Sequence, residues 1–182
     1  LKTADGSRFL FANNTSVVLD GCQIECDLNL DMCVGLNVIN GLTLVDARIT
    51  ANNPGFCGRT TLTFSGTTQT LAGTGDFIFQ NINPSVLVTS ANLTIEPGIS
   101  LYFLPSTTSS NPTISINTSS SSVLAFQGLL SMEQPGRTLT ISGGGKMLNQ
   151  GTIRATDGSI SITASLANLV NNVFSGGSWI AD

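Results

Sequence analysis

Short β-branched segments follow one another along this chain about every ten residues or fewer, joined by corners of one to four residues. Corners that short cannot carry helical crossovers, which take a dozen residues or more. The segments include FLFAN (9–13), SVVLDG (16–21), QIECDLNL (23–30), LNVIN (36–40), LTLVDARI (42–49), TLTFSG (61–66) and DFIFQN (76–81). The rest are SVLVTS (85–90), NLTIEP (92–97), ISLYFLP (99–105), TISINT (113–118), SVLAFQG (122–128), TLTISG (138–143), GTIRAT (151–156), SISITAS (159–165) and GSWIAD (177–182). Gly, Asn, Ser or Pro separates nearly every pair, and helix-period stretches are almost absent, so the chain reads as all-β. LANLVNNV (166–173) reads as one more short strand with an Asn corner.

Hairpins advertise themselves through Asn-Gly and Asp-Gly turns. Only Asn40–Gly41, Asp5–Gly6, Asp20–Gly21 and Asp157–Gly158 qualify, too few for an up-and-down barrel or sandwich of this many strands. The remaining solution is a parallel β-solenoid, in which like residues stack above like. That arrangement predicts internal self-similarity. LTFSGTTQTLAGTGDFIF (62–79) matches LTISGGGKMLNQGTIRA (139–155): Leu62 and Phe64 align with Leu139 and Ile141, Leu71 with Leu148, Gly75 with Gly151 and Phe77 with Ile153. NLTIEPGISLYF (92–103) is a weaker echo. At about 20 residues per coil, eight or nine irregular coils are expected, a rod on the order of 40 Å long.

Composition narrows the chemistry. The 182 residues make one domain with a sizeable core, 41% apolar but only 10% charged. There is no histidine, which removes the commonest general base and metal ligand together. The net charge is −4, and the seven basic residues are scattered singly, so no stripe exists to neutralise phosphates and nucleic acid is not an expected partner. No apolar run reaches the roughly 18 residues of a membrane span. The chain opens LKTADGSRF without an initiator Met or apolar leader and stops at SGGSWIAD partway through an alternation. It reads as an excised segment of a longer protein.

The run LTFSGTTQTLAGTGDFIFQN, followed by LTIEPGISLYF and later LVNNVFSGGSWIAD, resembles the repeats of large secreted bacterial β-solenoid proteins, adhesins and passenger-type surface proteins among them. The likeness covers residues 41–182; residues 1–40, with their cysteines, depart from it and are expected to form a cap. It implies a right-handed parallel β-helix, export to the cell surface or beyond, and a role in structure or attachment. It transfers no catalytic residue and no cofactor. The partners it suggests are the rest of a longer chain, further copies of this one, or surface glycans.

Residues 22–32 alternate strictly, with Cys22, Ile24, Cys26, Leu28, Leu30 and Met32 on one side and Gln23, Glu25, Asp27, Asn29 and Asp31 on the other. The cysteines therefore count as core-facing, and a corner must follow near Cys33. Spacings of x3, x6 and x23 between Cys22, Cys26, Cys33 and Cys57 do not match paired zinc knuckles. Four cysteines in a chain of secreted character favour disulfides, Cys22 or Cys26 to Cys57 with Cys33 taking the other. Residues two apart on a flat strand sit nearly 7 Å from each other, so Glu25, Asp27 and Asp31 cannot converge on one calcium ion without a bend. No metal site is expected.

Parallel β-helices that cleave polysaccharides present acids, often with Arg or Lys, on one outer face. Asp46 and Arg48 share a face in VDARITA, and Asp76 and Glu96 join them only if stacking brings them there. The plainer reading of Asp46 and Arg48 is an exposed ion pair. Tyr102 and Trp179 are the aromatic candidates for sugar contact. The Gly clusters GTG (73–75) and GGG (143–145) lead into no helix and read as corners rather than phosphate loops. The expected function is structural or adhesive, with end-to-end assembly as one form of it. A carbohydrate-binding or carbohydrate-cleaving β-helix is the alternative.

Overall fold

The computed structural model describes residues 1, 9–11, 15–31, 34–52, 60–80, 84–88, 92–105, 111–116 and 121–182. Among them there is no helix, and so none long and apolar enough to cross a membrane. Among the described residues eighteen strands join in one sheet, and every pairing within it is parallel.

The strands fall into three ranks. The first runs through 16–20, 35–38, 60–64, 84–88, 113–116, 138–143 and 159–162. The second runs through 22–24, 42–45, 69–73, 92–95, 123–126, 146–149 and 165–166. The third starts at 9–10 and 28–31, continues through 47–52, 75–80, 99–103, 129–132 and 152–155, and ends at 178–181. One strand from each rank makes a layer, and each layer lies on the one before it. Partners in the first rank are 19 residues apart at Ser16 and Gly35 and 28 apart at Ser85 and Thr113. Most layers are longer than the expected 20 residues. The first and second ranks hold seven strand segments each among the described residues, since Ser16–Ile24, Gly35–Asn52 and Gln69–Gln80 each run through more than one rank. Much of the extra length lies between the third rank and the first, as between Phe103 and Thr113, and some between the first and the second, as between Ile116 and Val123.

Alternation explains which side chains meet. Along Thr138–Gly143, Leu139 and Ile141 are buried while Thr138, Thr140 and Ser142 are half-exposed, and most strands repeat the pattern. Stacking then builds apolar columns, one of which runs Ile49, Phe77, Leu101, Leu130, Ile153 and Trp179. Phe64, Phe77, Phe103 and Phe126 are among the largest buried side chains, and Phe79, also buried, stacks on Phe103 at 5.0 Å between ring centroids. Burying each such ring contributes about 1.5–3 kcal/mol.

The corner between the second and third ranks depends on glycine. A Cβ on Gly98 would stand 2.1 Å from the Gly73 carbonyl oxygen, one on Gly128 2.0 Å from that of Ile99, and one on Gly151 2.2 Å from that of Gly128. Successive layers thus approach backbone to backbone along a column that no side chain can enter.

In the opening alternation, Cys22, Ile24, Cys26, Leu28 and Leu30 all turn toward the core, although the chain leaves the strand at 25–27. Met32 lies outside the described residues. The disulfide expectation is not supported: Cys22 and Cys26 are free, half-buried thiols packed against the core, near the carbonyls of Asp20 and Leu1 respectively. Cys33 and Cys57 lie outside the described residues. Alkylation in denaturant without reductant should therefore label both Cys22 and Cys26; protection of either in the mass spectrum would contradict the arrangement.

At 166–173 the expected Asn corner is present, but it joins two strands rather than belonging to one. Leu169–Val170 and Val173–Phe174 form an antiparallel hairpin that leaves the last layer, with Asn171 and Asn172 at φ 50° and 63° as its tip. Two left-handed residues suit the twist of a two-residue hairpin turn. All four apolar side chains of the hairpin are exposed. Buried Asn168 holds its base, its Nδ2 donating to the carbonyls of Asn149 and Ser175, each at 2.9 Å.

Buried Gln134 is the opposite case, since neither amide atom of its side chain has a hydrogen-bond partner among the described residues. Gln134→Met removes that desolvation cost at similar length. It should raise unfolding stability by about 1–2 kcal/mol in denaturant titration, and a loss of stability would show the amide to be satisfied.

Candidate functional site

A polar concavity lies where the second rank turns into the third. Its volume is about 380 Å³, and Asp27, Asp46, Ala47, Arg48, Gly75 and Asp76 line it, drawn from three successive layers. Asp46 occupies a bulge, because the register with the next layer shifts between Val45 and Ala47. Its backbone is left-handed, φ 48°. Thr74 secures that conformation from both sides: its Oγ1 donates to Asp46 Oδ1 at 2.7 Å and accepts the Asp46 N–H at 3.1 Å.

Spacing in the sequence pairs Arg48 with Asp46, but stacking sets Arg48 opposite Asp76. Its Nη2 lies 3.6 Å from Asp76 Oδ2, both side chains partly in water. Such a pair contributes at most about 1 kcal/mol. Asp27, from the layer before, accepts the Arg48 backbone N–H at 2.8 Å. Asp27 was legible only as a member of the outer acidic row; its place here depends on the length of the intervening layer. Glu96 joins the neighbouring corner instead, accepting the Gly73 N–H at 3.1 Å. Among the described residues no group of three or more His, Cys, Asp or Glu could hold a metal ion.

The two aromatic candidates part company. Tyr102 stands half-exposed on the outer face in a column with Ile78 and Ser131. Asp76 pairs with Ser100 in the adjacent column, so Tyr102 lies one layer on and two positions along from the cleft, about 8 Å between backbones. Trp179 is instead in the interior column above Ile153, its ring tilted against Phe174 at 5.1 Å and its indole N–H buried without a partner among the described residues. Beside it the last layer leaves a second, apolar concavity of about 400 Å³ bordered by Ile160, Ile162 and Ile180. Thus Asp46, Arg48 and Tyr102 come to one outer face and Trp179 does not.

No family model, no curated protein and no solved structure matches the chain.

Proposed function

We propose that this chain is a right-handed parallel β-helix, a β-solenoid segment of a secreted or surface-exposed protein, with a structural or adhesive role. Right-handedness follows from the general rule for parallel strand connections. The observation that carries the reading is the unbroken stacking of three parallel ranks over apolar columns, beneath an outer surface mostly of Ser, Thr, Asn and Gly. Stacked strands give backbone groups partners from layer to layer, and such a body resists deformation without needing charge for solubility. Seven or eight layers make a rod about 35 Å long. The half-buried row Ile160, Ile162, Leu166 and Trp179 in the last layer suits continued stacking, on further layers of a longer chain or on another copy.

Electron microscopy tests this reading. Elongated particles, or filaments whose length grows in steps of one rod, are the expected result. A compact particle would exclude the solenoid, and rods that never associate or attach to cell-surface material would exclude the role.

A second reading rests on the cleft: a carbohydrate-binding face in which Asp27, Asp46 and Arg48 contact hydroxyl groups and Tyr102 offers a stacking surface. Titration of acidic and neutral oligosaccharides against the wild-type chain and Asp46→Ala decides it. Binding weakened about tenfold or more by the substitution supports the cleft; no binding to any of them ends this reading.

A further inference from the structure

Asn40–Gly41 is the one Asn–Gly dipeptide in the sequence. In an unfolded chain this pair readily loses its amide, because glycine has no side chain to hinder ring closure. The Gly N loses its proton and bonds to Asn Cγ, the bond from Cγ to the amide nitrogen breaks, and ammonia leaves. Water then opens the succinimide to aspartate or isoaspartate. The reaction needs no oxidant, reductant or enzyme.

In the fold both reacting groups are held. The Gly41 N–H donates to Gln69 Oε1 at 2.6 Å. Gln69 is 1% exposed, and its Nε2 donates to the Ser65 carbonyl at 2.9 Å, so the amide is oriented with its oxygen toward Gly41. From the other side, Asn40 Nδ2 donates to Asp20 Oδ1 at 2.7 Å. The backbone is left-handed at both residues, φ 59° and 86°. Attack requires Asn40 Cγ to swing onto the Gly41 nitrogen, which breaks the bond to Asp20 and frees the N–H from Gln69. Three layers thus meet at this corner: Asp20 in the first, Asn40 and Gly41 in the second, Gln69 in the third.

We propose that Asn40 is a latched modification site, inert while the Asp20–Asn40–Gly41–Gln69 corner is closed and deamidated once that corner opens locally. The product keeps the corner open. Aspartate would replace a donor by a second carboxylate facing Asp20, and isoaspartate would lengthen the backbone within a paired strand. Residue 40 therefore records openings irreversibly.

The test incubates the chain in mildly alkaline buffer, folded and in denaturant, and follows the Asn40 peptide by mass and by isoaspartate content. The folded chain should react at least about a hundredfold more slowly than the unfolded one. Gln69→Met keeps the length and removes the acceptor; it should speed the folded reaction at least about tenfold. Equal rates in folded and unfolded wild type, or an unchanged rate in a folded Gln69→Met, overturn the proposal. Should that variant not fold, wild type in urea below its unfolding transition decides. A rate rising before global unfolding supports a local latch; one that rises only with global unfolding overturns it.

Discussion

Gly128→Ala is expected to destabilise the fold by at least about 3 kcal/mol, the upper range for overpacking a site that cannot relax. The backbone of Gly128 is not left-handed, so the effect isolates space rather than conformation. The added methyl would lie 2.0 Å from the Ile99 carbonyl oxygen and 2.9 Å from that of Glu96, both backbone atoms of neighbouring segments. To admit it the layers must part at the corner, which stretches the parallel hydrogen bonds from 129–132 back to 99–103. Gly136→Ala is the control. Gly136 has φ 67° with nothing within 4 Å of an added Cβ, so that substitution meets strain alone and should cost about 1 kcal/mol. Denaturant titration of both checks the argument. If Gly128→Ala proves no worse than Gly136→Ala, the glycine column is not a contact of this closeness.

Asn168→Leu should cost about 3 kcal/mol, confined largely to the last layer. Asn168 is 3% exposed and bridges the body to the hairpin: its Nδ2 donates to Asn149 and Ser175, its Oδ1 accepts from the Asn149 N–H at 3.4 Å. Leucine fills a similar volume but leaves those buried backbone groups unpaired. Below them, Asn149 Nδ2 donates to the Ser178 carbonyl at 3.2 Å, so the final strand, Ser178–Ala181, loosens with the hairpin. Hydrogen exchange reads this directly. The Ser178 amide, which donates to the Gly151 carbonyl at 2.7 Å, should lose protection while amides in 99–103 keep theirs. Uniform loss across the chain would mean that the layers unfold as one unit.

The parity of side chains was legible in the sequence, and the register between layers was not. Phe77 and Ile153, aligned by self-similarity, do share one interior column. Leu71 and Leu148, aligned by the same match, do not: Leu71 continues a column from Cys22 and Leu42 through Ile95 and Phe126 to Asn149, while Leu148 faces outward. A shift of one residue reverses the face, and corners of unequal length hide such shifts. Strand continuity was missed for a related reason. The Asn–Gly pair at 40–41 divides the sequence into two strands, yet Gly35–Asn52 runs on as one, because two left-handed residues turn the chain without ending its parallel pairing. The cleft was half visible. Asp46 and Arg48 were marked by spacing, but the partnership of Arg48 with Asp76 and the arrival of Asp27 depend on layer length, which no local pattern encodes.

The pairing of each layer with only its two neighbours sets how the molecule answers a mechanical load. Pulled from its two ends, a chain bonded only to the layers before and after it gives way by peeling, one layer at a time. With partners 19 to 28 residues apart in the first rank, each event should release about 65–100 Å of contour. A force–extension trace then becomes a sawtooth whose spacing measures the layers in order, making the protein a graded yielding element rather than one that fails at a single threshold.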